Sequence, residues 1–250
     1  MISDAHVHMG YFSALRTSAL KYYTPQRVVG VLNRCRVDAF IVSSTSAQAS
    51  VSIHDLLNEA MELKRLAGHR ARIFCWVSPV VLMSDPSLHI LDSGCYDGIK
   101  LHEHDGHWIQ SRQHELRRIL DMAAERALPV QFHCDESPCC DPWKLHHWAG
   151  LYPSIRFDFA HCCDMQSMSA VIGRNQNVWT DTAYMSEECM AMLPSYNWHD
   201  RLMFGSDLPV WQAYEDVSLT KRYREMVRCF LRTGLAKSAD IAFNKFLGLI

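Results

Sequence analysis

The chain has 250 residues, 48% hydrophobic and 21% charged, with a formal net charge of −2 and a sequence pI near 6.7. That is the profile of a soluble globular protein with enough apolar material for a sizeable core. No basic stripe argues for a nucleic-acid or anionic-membrane partner, and no apolar run is long enough to span a bilayer.

Residues 1–10 lack the basic and apolar regions of a secretory leader. Ten cysteines, spread along the chain with no Cys-x-x-Cys, therefore point to reduced thiols and a cytoplasmic protein. The vicinal pairs Cys139-Cys140 and Cys162-Cys163 read as ordinary buried or loop thiols. Fourteen histidines make their placement worth following.

Ile2 to His8 reads as a first strand. Thr24 as N-cap and Pro25 at the first helical position open a helix to about Cys35, with Val28, Val29, Val31 and Leu32 on its apolar face. Val37 to Ser43, rich in β-branched and aromatic residues, is a second strand. Ile53 to Leu66 has helical spacing at Ile53, Leu56, Leu57, Ala60, Met61 and Leu63, with Gly68 where a C-terminal cap is expected. Ala71 to Val77 is a third strand, and a short helical or irregular segment follows Asp85-Pro86. Asp97 to His102 is a fourth strand. A helix from His114 to Ala127 turns Leu116, Ile119, Leu120 and Ala123 inward. Pro129 to Cys134 is a fifth strand, Pro142 to Leu151 a helix and Ile155 to His161 a sixth strand. Met165 to Ile172 is a helix ended by Gly173, and Asn177 to Ala183 a seventh strand. Glu187 to Leu193 is a short helix and Leu202 to Ser206 an eighth strand. Two helices, Ser218 to Arg232 and Ser238 to Leu247, finish the chain.

Strands that alternate with helices form a parallel sheet, because each crossover needs a helix. Eight such units in 250 residues give the α/β class and a single-domain (β/α)₈ TIM barrel over residues 1–250. In such barrels functional groups lie at the C-terminal ends of strands. Strand alternation puts Asp4, His6 and His8 on one side, and two imidazoles at that spacing can converge on one divalent cation. Strand four ends in Lys100 and His102, strand five in His133, strand six in His161 and strand eight in Gly205-Ser206-Asp207. Glu136, three residues after His133, can accept a hydrogen bond that orients a ligand, or stand as a solvated loop carboxylate. Asp181 reads as structural, and Asp4 as hydrogen-bonded rather than coordinating. Trp108, Trp143, Tyr184 and Trp211 follow strand ends, as pocket wall or as packing over the core. Trp211 is the one taken as a substrate contact.

The segments Asp4-Ala5-His6-Val7-His8, Gly98-Ile99-Lys100-Leu101-His102, Pro129-Val130-Gln131-Phe132-His133, Phe159-Ala160-His161 and Phe204-Gly205-Ser206-Asp207 resemble the amidohydrolase superfamily. Their order and spacing are closest to its amidohydrolase-related branch, which includes aminocarboxymuconate-semialdehyde-type decarboxylases. The closing Asn244-Lys245-Phe246-Leu247-Gly248-Leu249 resembles that branch's terminal helix. The resemblance implies that His6, His8 and His133 hold one divalent metal, zinc first, with Asp207 on or beside it as a catalytic group. Manganese, iron, cobalt and nickel stay open. It places His161 beside the metal, acting on the substrate, with Lys100 and His102 as substrate contacts. In some members of the superfamily a carbamylated lysine on strand four bridges two metals, so a second metal also stays open.

The expected activity is hydrolysis of a small-molecule amide, lactone or ester-like carbonyl by metal-activated water. The alternative is non-oxidative decarboxylation of an unsaturated or aromatic acid at the same site. A TatD-like phosphodiesterase or nuclease fits less well, since those relatives carry a glutamate where this chain has Lys100. A non-catalytic metal-binding barrel is the remaining reading. The expected partner is a small-molecule substrate, with no nucleic acid and no membrane, and a homo-oligomer is left open. The resemblance does not account for His104, His107 and Cys139-Cys140-Asp141, which could form an accessory metal site.

Overall fold

The structure, a computed structural model, describes residues 2–13, 20–49, 52–135, 137–162, 164–198, 200–211 and 218–250. Glu136 and Cys163 lie outside the described residues. Nine strands form one mixed sheet in the order β2-β1-β3-β4-β5-β6-β7-β8-β9. They are β1 (Ser3–Ser13), β2 (Leu20–Tyr23), β3 (Ala39–Ser44), β4 (Ala71–Trp76), β5 (Gly98–Leu101), β6 (Val130–His133), β7 (Phe157–Ala160), β8 (Val178–Asp181) and β9 (Leu202–Met203). From β1 through β3 to β9 every neighbouring pair is parallel. The helices on these crossovers make the architecture TIM-barrel-like.

The helices follow from local chemistry. Helix α1 (Pro25–Arg34) starts where the Thr24 side chain accepts the Arg27 N–H, with Pro25 at the first position, and all four predicted apolar residues are buried. Helix α2 (Ile53–Ala67) is opened by a capping box between Ser52 and Asp55 and closed at Gly68, whose φ of 60° suits glycine. Of its predicted inward face, Met61 is instead exposed. Helix α3 (Pro79–Ser84) is one the sequence pattern did not suggest. Its N-cap Ser78 accepts from Val81, but six residues are too few to show a period. Helix α4 (Glu103–Gly106), a single turn after β5, was likewise not foreseen. Helices α5 (Gln113–Glu125) and α6 (Pro142–Leu151) fall where predicted. Helix α7 (Met165–Arg174) runs on through Gly173, because an isolated glycine in a helix costs only about 1 kcal/mol against alanine. Helices α8 (Glu187–Met192), α9 (Leu219–Arg232) and α10 (Ala236–Leu247) complete the set. Among the described residues no helix is long and apolar enough to cross a membrane, and the described cysteines are free thiols.

The first strand departs most from expectation. It runs on to Ser13 and turns back as a hairpin, Gly10 opposite Tyr23 and Phe12 opposite Lys21. Its register against β3 shifts between Asp4 and Val7, and a bulge of this kind re-aims side chains. Asp4 therefore parts from the histidines. Its carboxylate accepts from the backbone N–H groups of His6 and Ser206, both at 3.0 Å, and from the Tyr223 hydroxyl of α9 at 2.7 Å.

The chain returns to β1 just after β9. Ala5 N–H donates to the Phe204 carbonyl at 2.7 Å, Asp207 N–H to the His6 carbonyl at 2.9 Å and His8 N–H to the Leu208 carbonyl at 2.6 Å. This seam sets Asp207 opposite the two histidines, and Asp4 anchors it from one end. Asp4→Ala strips three buried donors of their acceptor. It is expected to cost about 3 kcal/mol or more of folding stability, since each buried donor left unpaired costs about 1–3 kcal/mol. Urea unfolding of the purified variant measures the loss, and Tyr223→Phe is expected to lose only about 1 kcal/mol.

Candidate metal centre

His6 and His8 leave β1 with their imidazoles turned toward each other. Each ring is fixed through Nδ1, His6 on the Asp181 carboxylate at 2.9 Å and His8 on the Ser43 hydroxyl at 2.9 Å. A carboxylate only accepts, so His6 Nδ1 carries the proton and its Nε2 a lone pair. Placing the His8 proton on Nδ1, toward Ser43, gives the same result for that ring. The two Nε2 atoms lie 3.1 Å apart. Asp207 Oδ1 lies 3.2 Å from His8 Nε2 and 3.7 Å from His6 Nε2. Yet this buried oxygen has no hydrogen-bond partner.

Two nitrogens and a carboxylate oxygen thus enclose one point. Ligand atoms of a tetrahedral ion with bonds of about 2.1 Å sit about 3.4 Å apart, which is the spacing found here. A divalent cation fits the donor set. It would satisfy the orphaned oxygen and both lone pairs, while Asp181 and Ser43 hold the rings in the orientation metal-binding histidines generally need. Burial, then the neighbouring Lys100 and His161, holds His6 well below the ordinary imidazole value, so it stays neutral. Burial works against ionisation of Asp207, but the adjoining imidazoles of His8, His6 and His161 keep it below the usual carboxylate range.

His161 follows β7 with its ring centroid 4.7 Å from that of His6, and it forms a metal-competent group with His6 and Asp207. Its Nδ1 faces the Ala183 carbonyl at 3.3 Å, so Nε2 is left as the acceptor. Burial, then His133, lowers its pKa to about 4. Left-handed backbone at His161 (φ 78°), Cys162 (φ 40°) and Asp207 (φ 54°) costs energy for residues with a Cβ and clusters typically at functional sites.

Lys100 is fully buried, its ammonium 3.3 Å from His6 Nε2. Burial lowers its pKa against the pull of Asp181, Asp158 and Asp207. His102 lies between Trp76 and His133 in a stack, ring centroids 5.5 and 3.9 Å away. Its buried Nδ1 has no hydrogen-bond partner. His133 stands edge-on to His161 at 4.6 Å. Its Nε2 meets Asp135 Oδ2 at 3.1 Å, in a neighbouring group with His104 and Cys140. The structure thus brings His6, His8, Asp207 and His161 together, and sets His133 next to His161 with its Nε2 on Asp135. Trp211 is buried in the core with its indole N–H on the Ser206 carbonyl at 2.7 Å. Trp108 is fully buried and Tyr184 exposed.

Sequence reasoning missed the support around these rings. Asp181, read as structural, also accepts the backbone N–H groups of His161 at 3.1 Å and Ala183 at 2.8 Å, so one carboxylate orders both histidines. Its only signal in the chain is a strand-end carboxylate among strand-end histidines. Ser43 and Asp135 carried no signal at all.

The family model for amidohydrolases matches residues 4–226, and the chain belongs to that family. No curated protein matches by sequence. Among solved structures it resembles a probable 2-pyrone-4,6-dicarboxylic acid hydrolase from Acinetobacter baumannii with citric acid bound. The TM-score is 0.67 at 11% identity, covering 99% of each chain. It also resembles dihydroorotase from Saccharomyces cerevisiae in complex with 5-fluoroorotic acid, with a TM-score of 0.66 at 12% identity over 99% of this chain and 84% of that one. A third is 4-oxalomesaconate hydratase from Rhodopseudomonas palustris, with a TM-score of 0.54 at 12% identity over 100% and 99%. At these identities the likeness is one of fold.

Gly205 keeps this arrangement tight, since a Cβ there would lie 2.9 Å from the Asp181 carboxylate and 3.0 Å from His6 Cβ. Asp181→Asn is expected to weaken metal affinity about 10–100-fold, the usual cost of losing such a partner. Competition with a calibrated chelator measures it, and Gly205→Ala is expected to shift affinity the same way.

Proposed function

We propose that this protein is a metal-dependent hydrolase acting on a small-molecule amide, lactone or ester-like carbonyl. The observation that carries it is the meeting of His6 Nε2, His8 Nε2 and Asp207 Oδ1 around one point at strand ends, in a chain of the amidohydrolase family. Zinc is the ion best matched to two imidazoles and a carboxylate with a position left for solvent. When bound, a divalent cation supplies an electrophile that polarises a carbonyl and acidifies water.

The chain's own groups divide the remaining work. Asp207, ionised and with Oδ1 turned to the ion's position, is suited to take a proton from the attacking water on its other oxygen and pass it to the leaving group. His161, neutral with Nε2 as acceptor, is suited to hold that water or take its proton before returning it. It accepts before it donates. Lys100, with its ammonium at His6, and His102, stacked at the mouth, stand where a carboxylate or polar group of the substrate would arrive. The seam between β1 and the segment after β9 supports one closed barrel of eight parallel strands over residues 1–250, in a single domain.

The zinc-loaded protein is expected to release hydrolysis products from a panel of carboxylated lactones and cyclic amides. Asp207→Asn is expected to lower kcat about 10²–10⁴-fold, the usual contribution of a positioned acid–base group. Carbon dioxide release from a parallel panel of unsaturated and aromatic acids, without hydrolysis of the first panel, would replace this reading with a decarboxylase. Cleavage confined to phosphodiesters would replace it with a nuclease.

A further inference from the structure

Three residues take no part in the centre at His6, yet they lie together. His104 comes from the single turn of α4, and Cys139 and Cys140 from the connection between β6 and α6. Their neighbours in the chain have local purposes. Asp141 caps α6 by accepting the Trp143 N–H at 2.9 Å, and His107 ends α4 in the left-handed region. His104 and the two cysteines instead form a line of contacts that runs from a carboxylate to a sulfur.

Asp135 starts that line. Burial opposes its ionisation, but hydrogen bonds with His133, Ser137 and His104 hold the carboxyl well below the usual range. Its Oδ2 lies 2.6 Å from His104 Nε2. A carboxylate only accepts, so His104 carries its proton on Nε2 and a lone pair on Nδ1. That lone pair faces Cys139 Sγ at 3.8 Å. The Ser137 hydroxyl, its hydrogen committed to Asp135 Oδ1, stands 3.2 Å from the same sulfur. The thiol proton thus has two acceptors, and the imidazole is the basic one. Nucleophile, base and orienting carboxylate in that order make the arrangement that activates a weak nucleophile. The His104 side chain is 44% exposed, so a small molecule reaches this edge from solvent. Cys139 is half-buried and Cys140 buried, with their sulfurs 3.8 Å apart. Burial pushes the Cys140 thiol up, so it stays protonated while its neighbour reacts.

We propose that Cys139 is a thiol–disulfide exchange site for low-molecular-weight disulfides of the glutathione class, activated by His104 and resolved by Cys140. His104 Nδ1 takes the Cys139 proton, and the thiolate attacks one sulfur of the small disulfide. That S–S bond breaks, one half leaves as a thiol with the proton from His104, and Cys139 keeps the other half as a mixed disulfide. Cys140 then loses its proton and displaces that half from Cys139, and the proton ends on the second leaving thiol. Two protein thiols are oxidised to one disulfide, and one small disulfide is reduced to two thiols. Adjacent Cα atoms are about 3.8 Å apart, below the usual disulfide minimum of about 4.4 Å, so the product is strained and readily reduced. Asp135 links the exchange to the mouth, because the Oδ2 that holds His104 also meets His133 Nε2 at 3.1 Å.

Glutathione disulfide added to the full chain as purified, with peptide mapping by mass, tests the site without reference to turnover. Wild type is expected to lose the thiols of Cys139 and Cys140, release two equivalents of glutathione, keep no adduct and recover with dithiothreitol. Cys140→Ser is expected to hold one glutathione on Cys139. At pH 7, Cys139 of that variant is expected to react about tenfold faster than the likewise half-buried Cys35, Cys95, Cys189 and Cys229, since an unassisted thiol is only a few per cent thiolate there. Adding His104→Ala, at an exposed position, is expected to remove that advantage, the lost rate returning as the pH approaches the ordinary thiol value of about 8.5. An adduct retained by wild type, a Cys139 no faster than the other four thiols, or a pH 7 rate untouched by His104→Ala overturns the exchange site.

Discussion

The mouth of this molecule depends on one constraint: two imidazoles on a single strand present the same nitrogen to the same point. Like lone pairs 3.1 Å apart repel each other, and the arrangement persists because each ring is held from behind through Nδ1. Asp181 does this for His6 and Ser43 for His8. Asp207 faces them because the backbone after β9 is hydrogen-bonded to β1 on both sides of His6. Strand pairing, rather than any loop, therefore sets the geometry of the centre.

Beside the rings lies a fully buried set of ionisable side chains. Lys100 and Asp158 are entirely shielded from solvent. Burial, with the neighbouring Asp181, pushes the Asp158 carboxyl well above its ordinary value. Gln131 donates both to Asp158 at 2.7 Å and to the Ala5 carbonyl at 3.0 Å, tying this layer to the start of β1. A buried ionic layer of this kind is expensive to break, because removing one partner strands the others in a low-dielectric interior. The Lys100 ammonium, 3.3 Å from His6 Nε2, passes that rigidity to the metal-facing nitrogen.

Much of the architecture was legible from local patterning. The burial of Leu116, Ile119, Leu120 and Ala123 on α5 follows from helical spacing alone, and the start of α1 from Thr24-Pro25. The bulge in β1 was not legible, because it depends on how Asp4 and Val7 pair with Phe40 and Val42 on another strand. The hairpin that returns through Leu20–Tyr23 was hidden for a similar reason, since its stabilising partner is the far end of β1. Trp211 is buried with its indole N–H on the Ser206 carbonyl, a contact between neighbours in the chain that no periodicity announces.

The sequence by itself determined the alternation of strands and helices, the family, and which strands end in histidine, lysine or aspartate. Those follow from periodicity and short motifs, which are local properties of a chain. Only the tertiary structure decided which side chains share a point: that Asp181 stands behind His6, that Asp207 completes the pair, and that His133 turns its Nε2 to Asp135. Such choices rest on directions and distances between residues up to two hundred positions apart, fixed by strand register and burial rather than by any neighbour in sequence.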